Sequence, residues 1–315
     1  MIGTVTAVSD QPEGPLRTSD GGAGLWSDVE VRDAATVLLV RDGDAGLEVF
    51  MLRRNLQSDF VGGAYVFPGG AVDPADRVAD LEAISVGRTD AEASRRLGID
   101  RGGLAYWVAA IREGFEEAGV LLAYGRDGRI VHLDSPADTA RWAEHRRAVD
   151  RGEVALIDVC AAEGLTLAVD GMHYFGHWIT PVGSPRRYDT RFFVAAEPPG
   201  QTPLHDDHEV IANDWFRPVD ALGRASRGEL TMLPPTVASL RALTRFDTAA
   251  QALRAATEIV DVPRILPRII EVDGGARIAL PGDDGYEAAP LLPDGSIDWD
   301  DLRSAGTTGF GREPA

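Results

Sequence analysis

The chain contains no lysine, so all 31 of its basic residues are arginines. This absence excludes Schiff-base catalysis and the Walker-type phosphate-binding loop, because both depend on a lysine amine. Cysteine is nearly absent as well. Cys160 is the only one, which excludes an intramolecular disulfide and any multi-cysteine zinc or iron–sulfur site. Its helical, apolar neighbours predict a buried, unreactive thiol.

Positive charge is scarce, since 50 acidic residues against 31 basic ones give a formal net charge of −19. That balance argues against nucleic acid and anionic membrane surfaces as partners. A phosphorylated small molecule stays compatible, because a metal ion and a few arginines can bind its anionic groups. Long apolar runs and a secretory signal are also missing. The sequence therefore predicts a cytoplasmic protein without a membrane span, and leaves open whether it forms a homodimer.

Composition divides the chain into three parts. Residues 1–25, rich in Gly, Pro, Ser, Thr and Asp, are predicted to form a flexible N-terminal arm. Residues 26–262 have the texture of one main domain, with an inserted surface segment at 77–103 and a helical segment at 139–163. Residues 263–315 are predicted to form a C-terminal extension.

Strand and helix patterns alternate through the main domain. Apolar runs predict strands at 35–40, 47–52, 64–67, 173–180, 187–196 and 210–216, the first two joined as a hairpin. Helical patterns are found at 104–118, 218–227 and, as one long helix, 235–258. This alternation predicts an α/β fold with a mixed β-sheet and helices on both faces.

The helix predicted over 104–118 combines an apolar side with an acidic one. Its apolar positions recur at spacings of four, three and four: Leu104, Val108, Ile111 and Phe115. Glu113, Glu116 and Glu117 fall on the opposite half, within about 100° of one another, and Arg112 can pair with Glu116 one turn later. Converging carboxylates are typical ligands of a hard divalent cation. A solvated acidic face would give the same pattern.

Gly69 and Gly70 follow the short apolar run at 64–67. Two glycines there predict a sharp turn at the end of the strand, and they let backbone carbonyls approach a metal ion or a phosphate. An ordinary strand-ending turn explains the pair equally well when it is taken alone. The glycine pair followed by the acidic helix is a more specific indication of a metal site than either element alone.

The same residues carry a family resemblance. Phe67-Pro68-Gly69-Gly70, followed by Arg112-Glu113-Gly114-Phe115-Glu116-Glu117-Ala118-Gly119-Val120, resembles the Nudix box, G-x5-E-x7-R-E-U-x-E-E-x-G-U, in which U is apolar. There are three departures. Gly114 replaces an apolar residue, Asp76 stands where the early glutamate belongs, and residues 77–111 replace the usual seven.

The long insertion is itself similar to one Nudix branch, the peroxisomal coenzyme A and acyl-CoA diphosphatases. Further segments resemble that branch at 165–167, 177–181, 186–193 and 215–218, and the resemblance spans residues 30–285. It implies a Nudix-like α/β/α sandwich with a mixed sheet, helical insertions and a C-terminal extension. The implied activity is hydrolysis of a diphosphate linkage in a nucleoside diphosphate derivative, with Mg²⁺ or Mn²⁺ as cofactor.

The resemblance also implies roles for the motif residues. Glu116 and Glu117 would bind the metal, Glu113 would be a further ligand or the base that orients water, and Arg112 would hold the carboxylates in place. The carbonyl of Gly70, or that of Gly69, is an additional candidate ligand. Glu209 is the candidate acid from a later loop, with Asp206 and Asp207 as alternatives.

Arginines near two strand ends are candidates for binding the substrate phosphates, because one guanidinium group can donate two parallel hydrogen bonds to a phosphate. The substrate-binding candidates are Arg53, Arg54, Arg187, Arg191 and the aromatic Tyr188. For any single arginine, a surface ion pair is an equally good explanation in a chain with 50 acids.

The leading hypothesis for function is cleavage of coenzyme A or acyl-CoA to an adenosine 3',5'-bisphosphate-type product and (acyl-)phosphopantetheine. Two alternatives remain open. One is a Nudix pyrophosphatase acting on ADP-ribose or dinucleotides. The other is a non-catalytic nucleotide-binding Nudix module, which the departures at Asp76 and Gly114 favour.

Overall fold

A single long strand organises the fold of this protein. The computed structural model describes residues 29–56, 62–78, 80–133, 135–182, 184, 186–204, 210–272 and 275–287. The strands are β1 (Val31–Gly43), β2 (Gly46–Arg54), β3 (Tyr65–Val66), β4 (Gly69–Ala71), β5 (Ala123–Tyr124), β6 (Thr166–Leu167), β7 (Met172–Ile179), β8 (Arg187–Ala196), β9 (Val210–Phe216), β10 (Arg264–Ile265), β11 (Arg268–Val272) and β12 (Gly275–Ala279). The helices are α1 (Asp90–Leu97), α2 (Leu104–Ala118), α3 (Pro136–Asp150), α4 (Leu156–Glu163), α5 (Pro218–Ser226), α6 (Pro234–Leu243) and α7 (Ala249–Glu258).

The main sheet is mixed, as predicted. Its strands follow the order β10-β7-β8-β1-β2-β3, with β4 paired to β1 and β9 paired to β2. The β1–β8 and β7–β10 pairs are parallel, and the other pairs are antiparallel. The predicted hairpin is present, since β1 and β2 pair through Gly43 and Gly46.

The side chains of β1 alternate between two hydrophobic cores. Val37 and Leu39 pack in the core that contains α2, whereas Leu38 and Val40 pack with α5, α6 and α7. A strand buried on both faces reads as a continuous apolar run, which explains the sequence pattern at 35–40. Helices therefore cover both faces of the sheet, and the predicted α/β/α sandwich is confirmed.

The predicted long helix at 235–258 is wrong, because the structure has two helices, α6 and α7, with a break between them. Thr248 begins the second helix: its hydroxyl accepts a hydrogen bond from the Gln251 N–H. Just before it, the carbonyl of Asp247 accepts a bond from the N–H of Leu47 in β2. A capping residue and a tertiary contact thus outweigh a helical pattern that is continuous in sequence.

The insertion at 77–103 contains a helix, α1, that the sequence pattern did not indicate. Thr89 caps its N-terminus in a reciprocal arrangement with Glu92, and Gly98 ends it in the left-handed conformation (φ 67°). Ala93 and Leu97 are buried in the same core as α2. One side of the insertion therefore forms part of the folded domain.

Some predictions fall outside the described residues. These include the N-terminal arm at 1–25, the candidate ligand Glu209 with Asp206 and Asp207, and the C-terminal extension beyond residue 287. In the described ranges, no helix could span a bilayer. Cys160 is buried, as predicted, and burial raises the pKa of its thiol to about 12, which disfavours the reactive thiolate form.

Candidate active site

Helix α2 crosses the core with nearly all of its surface covered. It ends at Gly119, which adopts the left-handed conformation (φ 66°) that is typical of a C-terminal cap. The predicted apolar stripe is buried, but so is the opposite side of the helix up to Phe115. Arg112 and Glu113 retain only 7% and 9% of their exposure. Charged groups at such positions need partners, because burial of an unpaired charge is costly.

Arg112 is the centre of an ion-pair cluster. Its Nη1 donates to Glu113 Oε1 at 2.8 Å and to Glu116 Oε2 at 2.9 Å. Its Nε and Nη2 bind the carboxylate of Asp76 at 2.9–3.2 Å, and Nη2 also donates to the Ala71 carbonyl at 2.7 Å. Asp76, only 2% exposed, therefore holds the guanidinium from the side opposite the glutamates. The i,i+4 pair between Arg112 and Glu116 is present as predicted.

The sharp turn predicted at Gly69 and Gly70 is wrong. Both residues lie in strand β4, paired with Thr36 and Ala35 of β1, and neither has a positive φ. Glycine is required there by close approach. A Cβ on Gly69 would lie 2.3 Å from Thr36 Oγ1, and one on Gly70 would lie 2.4 Å from Glu113 Oε1.

The glycine strand and the acidic helix are in direct contact. The N–H of Gly69 donates to Glu117 Oε2 at 2.9 Å, while the Gly70 position abuts the Glu113 carboxylate. Side chains from one and a half turns of α2 thus meet the backbone of β4. The two elements, far apart in sequence, form one site.

Burial leaves this site short of positive charge. Desolvation raises the pKa of Glu113 to about 8 and that of Glu116 to about 7, and the attraction of Arg112 offsets only part of this effect. Glu116 also raises the pKa of Glu113, because two carboxylates in one site disfavour each other's ionised form.

The donor set fits a hard divalent cation. It offers carboxylate oxygens and backbone carbonyls, the ligands that such ions prefer, and a bound cation would supply the positive charge that the buried glutamates lack. Within the described ranges, no three acidic, histidine or cysteine side chains are already clustered for metal binding. In the structure, Arg112 binds the carboxylates of Glu113 and Glu116, and the Gly69 N–H binds that of Glu117.

The candidate arginines of β8 lie on the other side of β1 from the glycines. Arg191 pairs across from Ala35, the residue that also faces Gly70, but its side chain is only 4% exposed. Its guanidinium makes an ion pair with Asp189 and lies 5.3 Å from the ring of Tyr106. Those contacts are typical of a structural arginine.

Arg187 and Tyr188 lie towards the start of β8, opposite Val31 and Arg32. The Nε of Arg187 donates to the Thr180 carbonyl at 3.3 Å.

The candidates at the end of β2 are placed differently. Arg53 pairs with Tyr65 of β3, and its guanidinium lies 5.9 Å from the tyrosine ring. Arg54 pairs with Val210, the first residue of β9. Within the described part of the chain, the Nε atoms of both arginines are buried without a hydrogen-bond partner.

One contact to the acidic turn was not predicted from the sequence. Arg146 of α3 donates from Nε to the backbone carbonyl of Glu116 at 2.8 Å. The two residues are thirty positions apart, on different helices. No local pattern signals such a bond, because it depends on how α3 packs against α2.

The comparisons with known proteins agree with this fold. Residues 88–243 match the family model described as the NUDT19 Nudix domain. The human acyl-coenzyme A diphosphatase NUDT19 is 29% identical over 278 residues, covering 76% of this chain and 72% of the relative. The chicken protein of the same name is 29% identical over 306 residues, covering 82% and 80%.

A solved structure of a Nudix hydrolase from Alicyclobacillus acidocaldarius is also similar. It has a TM-score of 0.59 and 30% identity, and the match covers 72% of this chain and 97% of that one. This chain belongs to the Nudix hydrolase family, which confirms its interpretation as an enzyme. Within the family it resembles the acyl-coenzyme A diphosphatase branch.

Proposed function

We propose that this enzyme hydrolyses the diphosphate linkage of coenzyme A or acyl-CoA. The products would be an adenosine 3',5'-bisphosphate-type nucleotide and (acyl-)phosphopantetheine. The observation that carries the chemistry is the contact of the Glu113 and Glu117 carboxylates with the Gly69-Gly70 strand. The substrate class rests on the similarity to proteins named acyl-coenzyme A diphosphatases.

The cofactor in this proposal is Mg²⁺ or Mn²⁺, held by Glu113, Glu116 and Glu117. A bound divalent ion neutralises charge on the diphosphate and lowers the pKa of a water ligand. Glu209, outside the described residues, stays a candidate for a further ligand.

A backbone ligand is better assigned to Gly69 than to Gly70. In the β1–β4 ladder, Val37 N–H bonds to the Pro68 carbonyl and Val72 N–H bonds to the Asp33 carbonyl. Because hydrogen-bonded pairs alternate along an antiparallel ladder, the Ala35–Gly70 pair between them is hydrogen-bonded as well. The polar groups of Gly69 then face away from β1, as its bond to Glu117 indicates. Its carbonyl is therefore the one available to a cation.

Other groups of the site would position the metal-binding carboxylates and the attacking water. Arg112 fixes Glu113 and Glu116 through its Nη1, and Asp76 fixes Arg112. The Gly69 N–H orients Glu117. Glu113 would be a further metal ligand or the base that takes the proton of the attacking water, and its raised pKa lets it accept a proton near neutrality.

Among the candidate phosphate-binding residues, Arg53 and Arg54 are better placed to accept a new anion than Arg191. Arg53 and Arg54 are only half-buried, whereas Arg191 is buried, ion-paired with Asp189 and packed on Tyr106. A buried Nε without a hydrogen-bond partner in the described ranges is common to all three arginines. Arg187 and Tyr188, at the start of β8, keep the same proposed role.

The test is an assay of the products formed from CoA, acyl-CoA, ADP-ribose, NADH and dinucleoside polyphosphates, with Mg²⁺ and with EDTA. We expect the CoA compounds to be preferred and EDTA to abolish turnover. Glu116→Gln and Glu117→Gln should each lower kcat by about a hundredfold or more. Glu144→Gln, an exposed glutamate of α3, is the matched control and should retain full activity.

Two results would contradict the proposal. Unchanged turnover of CoA by the Glu116 and Glu117 variants would remove the assigned chemistry. Turnover of ADP-ribose or a dinucleotide with no turnover of CoA would keep the chemistry and overturn the substrate class.

A further inference from the structure

An open cleft of about 460 Å³ lies beside helix α1, where the insertion meets the end of α7. Its lining is unusual for so acidic a chain: Gly87, Arg88, Glu92, Arg95, Arg96 and Val260. Three of these six residues are arginines, although acidic residues outnumber basic ones by 50 to 31 in the sequence. The cleft is therefore a local concentration of positive charge.

Two of the three guanidinium groups are held in place by aromatic rings. Arg88 lies 4.8 Å from the ring of Trp107 in α2, and Arg96 lies 5.8 Å from the ring of Tyr174 in β7. Arg96 also donates to the carbonyl of Val260 at 2.8 Å and to that of Ile259. Guanidinium groups fixed in this way lose little freedom when an oxyanion binds.

The nearby acids bind other groups. Glu92 Oε2 accepts hydrogen bonds from the N–H and the hydroxyl of Thr89, which caps α1. Asp170 Oδ1 accepts bonds from Tyr124 and from the Gly171 N–H. The Nε of Arg88 is buried without a hydrogen-bond partner in the described part of the chain.

The ionisation of two residues at the cleft agrees with an excess of positive charge. Burial and the proximity of Arg96 lower the pKa of Arg88, although Glu92 and Asp170 act in the opposite direction. Burial, and then the charges of Arg88 and Arg96, lower the pKa of the neighbouring His173.

The cleft is separate from the catalytic glutamates. Trp107, which Arg88 covers, packs against Phe193 of β8 and donates to the Met172 carbonyl of β7. The glycines that meet Glu113 and Glu117 lie in β4, on the other side of β1. Along α2, Glu113 and Glu116 lie six and nine positions after Trp107, which corresponds to about 9 Å and about 13 Å along the helix axis.

We propose that this arginine-lined cleft is a second anion site, which binds a phosphate or diphosphate group through Arg88 and Arg95, with Arg96 as the fixed third cation. Its volume is within the range of small-molecule sites, and guanidinium forks match the oxygens of phosphates. Binding there would join the insertion helix to the end of α7. The proposed catalytic activity does not require it.

The test is calorimetric titration of the full chain in EDTA with inorganic pyrophosphate. The wild-type protein should bind one equivalent, and Arg88→Gln combined with Arg95→Gln should weaken binding at least tenfold. Arg101→Gln combined with Arg129→Gln removes the same charge from exposed positions outside the cleft and should leave binding unchanged. Glu116→Gln should also bind normally, which separates this site from the catalytic one.

Absence of binding by the wild-type protein would overturn the proposal. So would an equal loss in both double variants, since that would indicate a response to net charge alone. Loss of binding in Glu116→Gln would assign the pyrophosphate to the catalytic site instead. If the Arg88→Gln/Arg95→Gln protein does not fold, the single variant Arg95→Gln decides, because Arg95 is exposed and its substitution should not disturb the fold. This single substitution should still weaken pyrophosphate binding severalfold. Unchanged binding would refute the site.

Discussion

Asp76 departs from the family motif, yet in the structure it binds the buried Arg112. It is shorter than the glutamate expected at its position, yet its carboxylate reaches both Nε and Nη2 of Arg112 at 2.9–3.2 Å. The sequence presents Asp76 as evidence for a silent domain. In the structure, Asp76 binds the Nε and Nη2 of the buried Arg112, while Glu113 and Glu116 bind its Nη1. This contact could not be predicted from the sequence, because residues 77–111 separate Asp76 from Arg112.

We therefore expect Asp76→Asn to be strongly destabilising. Removing one partner of a buried ion pair leaves the other charge uncompensated, at about 3 kcal/mol or more, and Arg112 would then hold Glu113 and Glu116 less firmly. The free energy of unfolding, measured by denaturant titration, and kcat should both decrease. Asp73→Asn is the matched control, because Asp73 is 3.9 Å from the same guanidinium but its side chain is 56% exposed, and it should cost at most about 1 kcal/mol. Equal effects of the two variants would refute the assignment.

Gly70 is needed for space rather than for backbone freedom. In Gly70→Ala the new methyl group would lie 2.4 Å from Glu113 Oε1, so the carboxylate must move. We expect a large loss of kcat with the fold retained, measured by turnover alongside circular dichroism. Gly114→Ala is the comparison, since its Cβ would have its nearest contact at 3.4 Å, to Val37, and helix propensity would add up to about 1 kcal/mol of stability. Full activity of Gly70→Ala would show that Glu113 need not stay where it is.

At the scale of elements, the sequence predicted best where burial imposes a regular period. Strand β1 was recognisable because both of its faces are covered, and α2 because its apolar positions follow the helical repeat and Gly119 ends it. The failures arose where tertiary contacts decide. From the sequence alone, the Gly69-Gly70 pair predicts a turn, because the close contact of α2 with these glycines is known only from the structure. The break before α7 depends on Thr248 and on the bond between Leu47 and Asp247.

The C-terminal end of α2 gives a prediction at this scale. The Nε of Arg146 donates a hydrogen bond to the Glu116 carbonyl, and a cation at this position interacts favourably with the negative end of the helix dipole. Arg146→Gln should lower stability by about 1–2 kcal/mol and raise the metal concentration needed for half-maximal activity, because the turn that carries Glu116 and Glu117 loses its support. Arg147→Gln changes the same charge at an exposed neighbouring position and should affect neither quantity. A loss of stability with no change in metal requirement would limit Arg146 to a structural role.

At the scale of the whole molecule, the acidic balance of the chain bears on how the site works. A protein with a net charge of −19 repels an anionic substrate at long range, so attraction must be local. The layers of the sandwich provide this locality, because they bring a buried acidic turn into contact with a strand backbone. If the proposed cation site is correct, activity should depend on the divalent ion more than on the overall surface charge.

The same burial makes the stability of the metal-free protein depend on pH. The folded-state pKa values of Glu113 and Glu116, about 8 and about 7, lie above the ordinary value of 4.5. A carboxyl whose pKa is raised on folding stabilises the folded state fully below its unfolded pKa and loses this contribution as pH rises through the folded pKa. In EDTA, the contribution of these two residues to the free energy of unfolding should therefore decrease between about pH 4.5 and pH 8.

Urea unfolding in EDTA at half-unit pH steps measures this effect. Glu113→Gln should flatten the curve over that interval, whereas Glu144→Gln, on the exposed side of α3, should reproduce the wild-type slope and thereby account for general charge repulsion. Addition of Mg²⁺ at pH 8 should restore stability in the wild-type protein and do so less in Glu113→Gln, because a ligand that binds only the folded state stabilises it by mass action. A wild-type curve no steeper than that of Glu113→Gln would mean that the buried glutamates are compensated without a metal, and the proposed cation site would lose its physical basis.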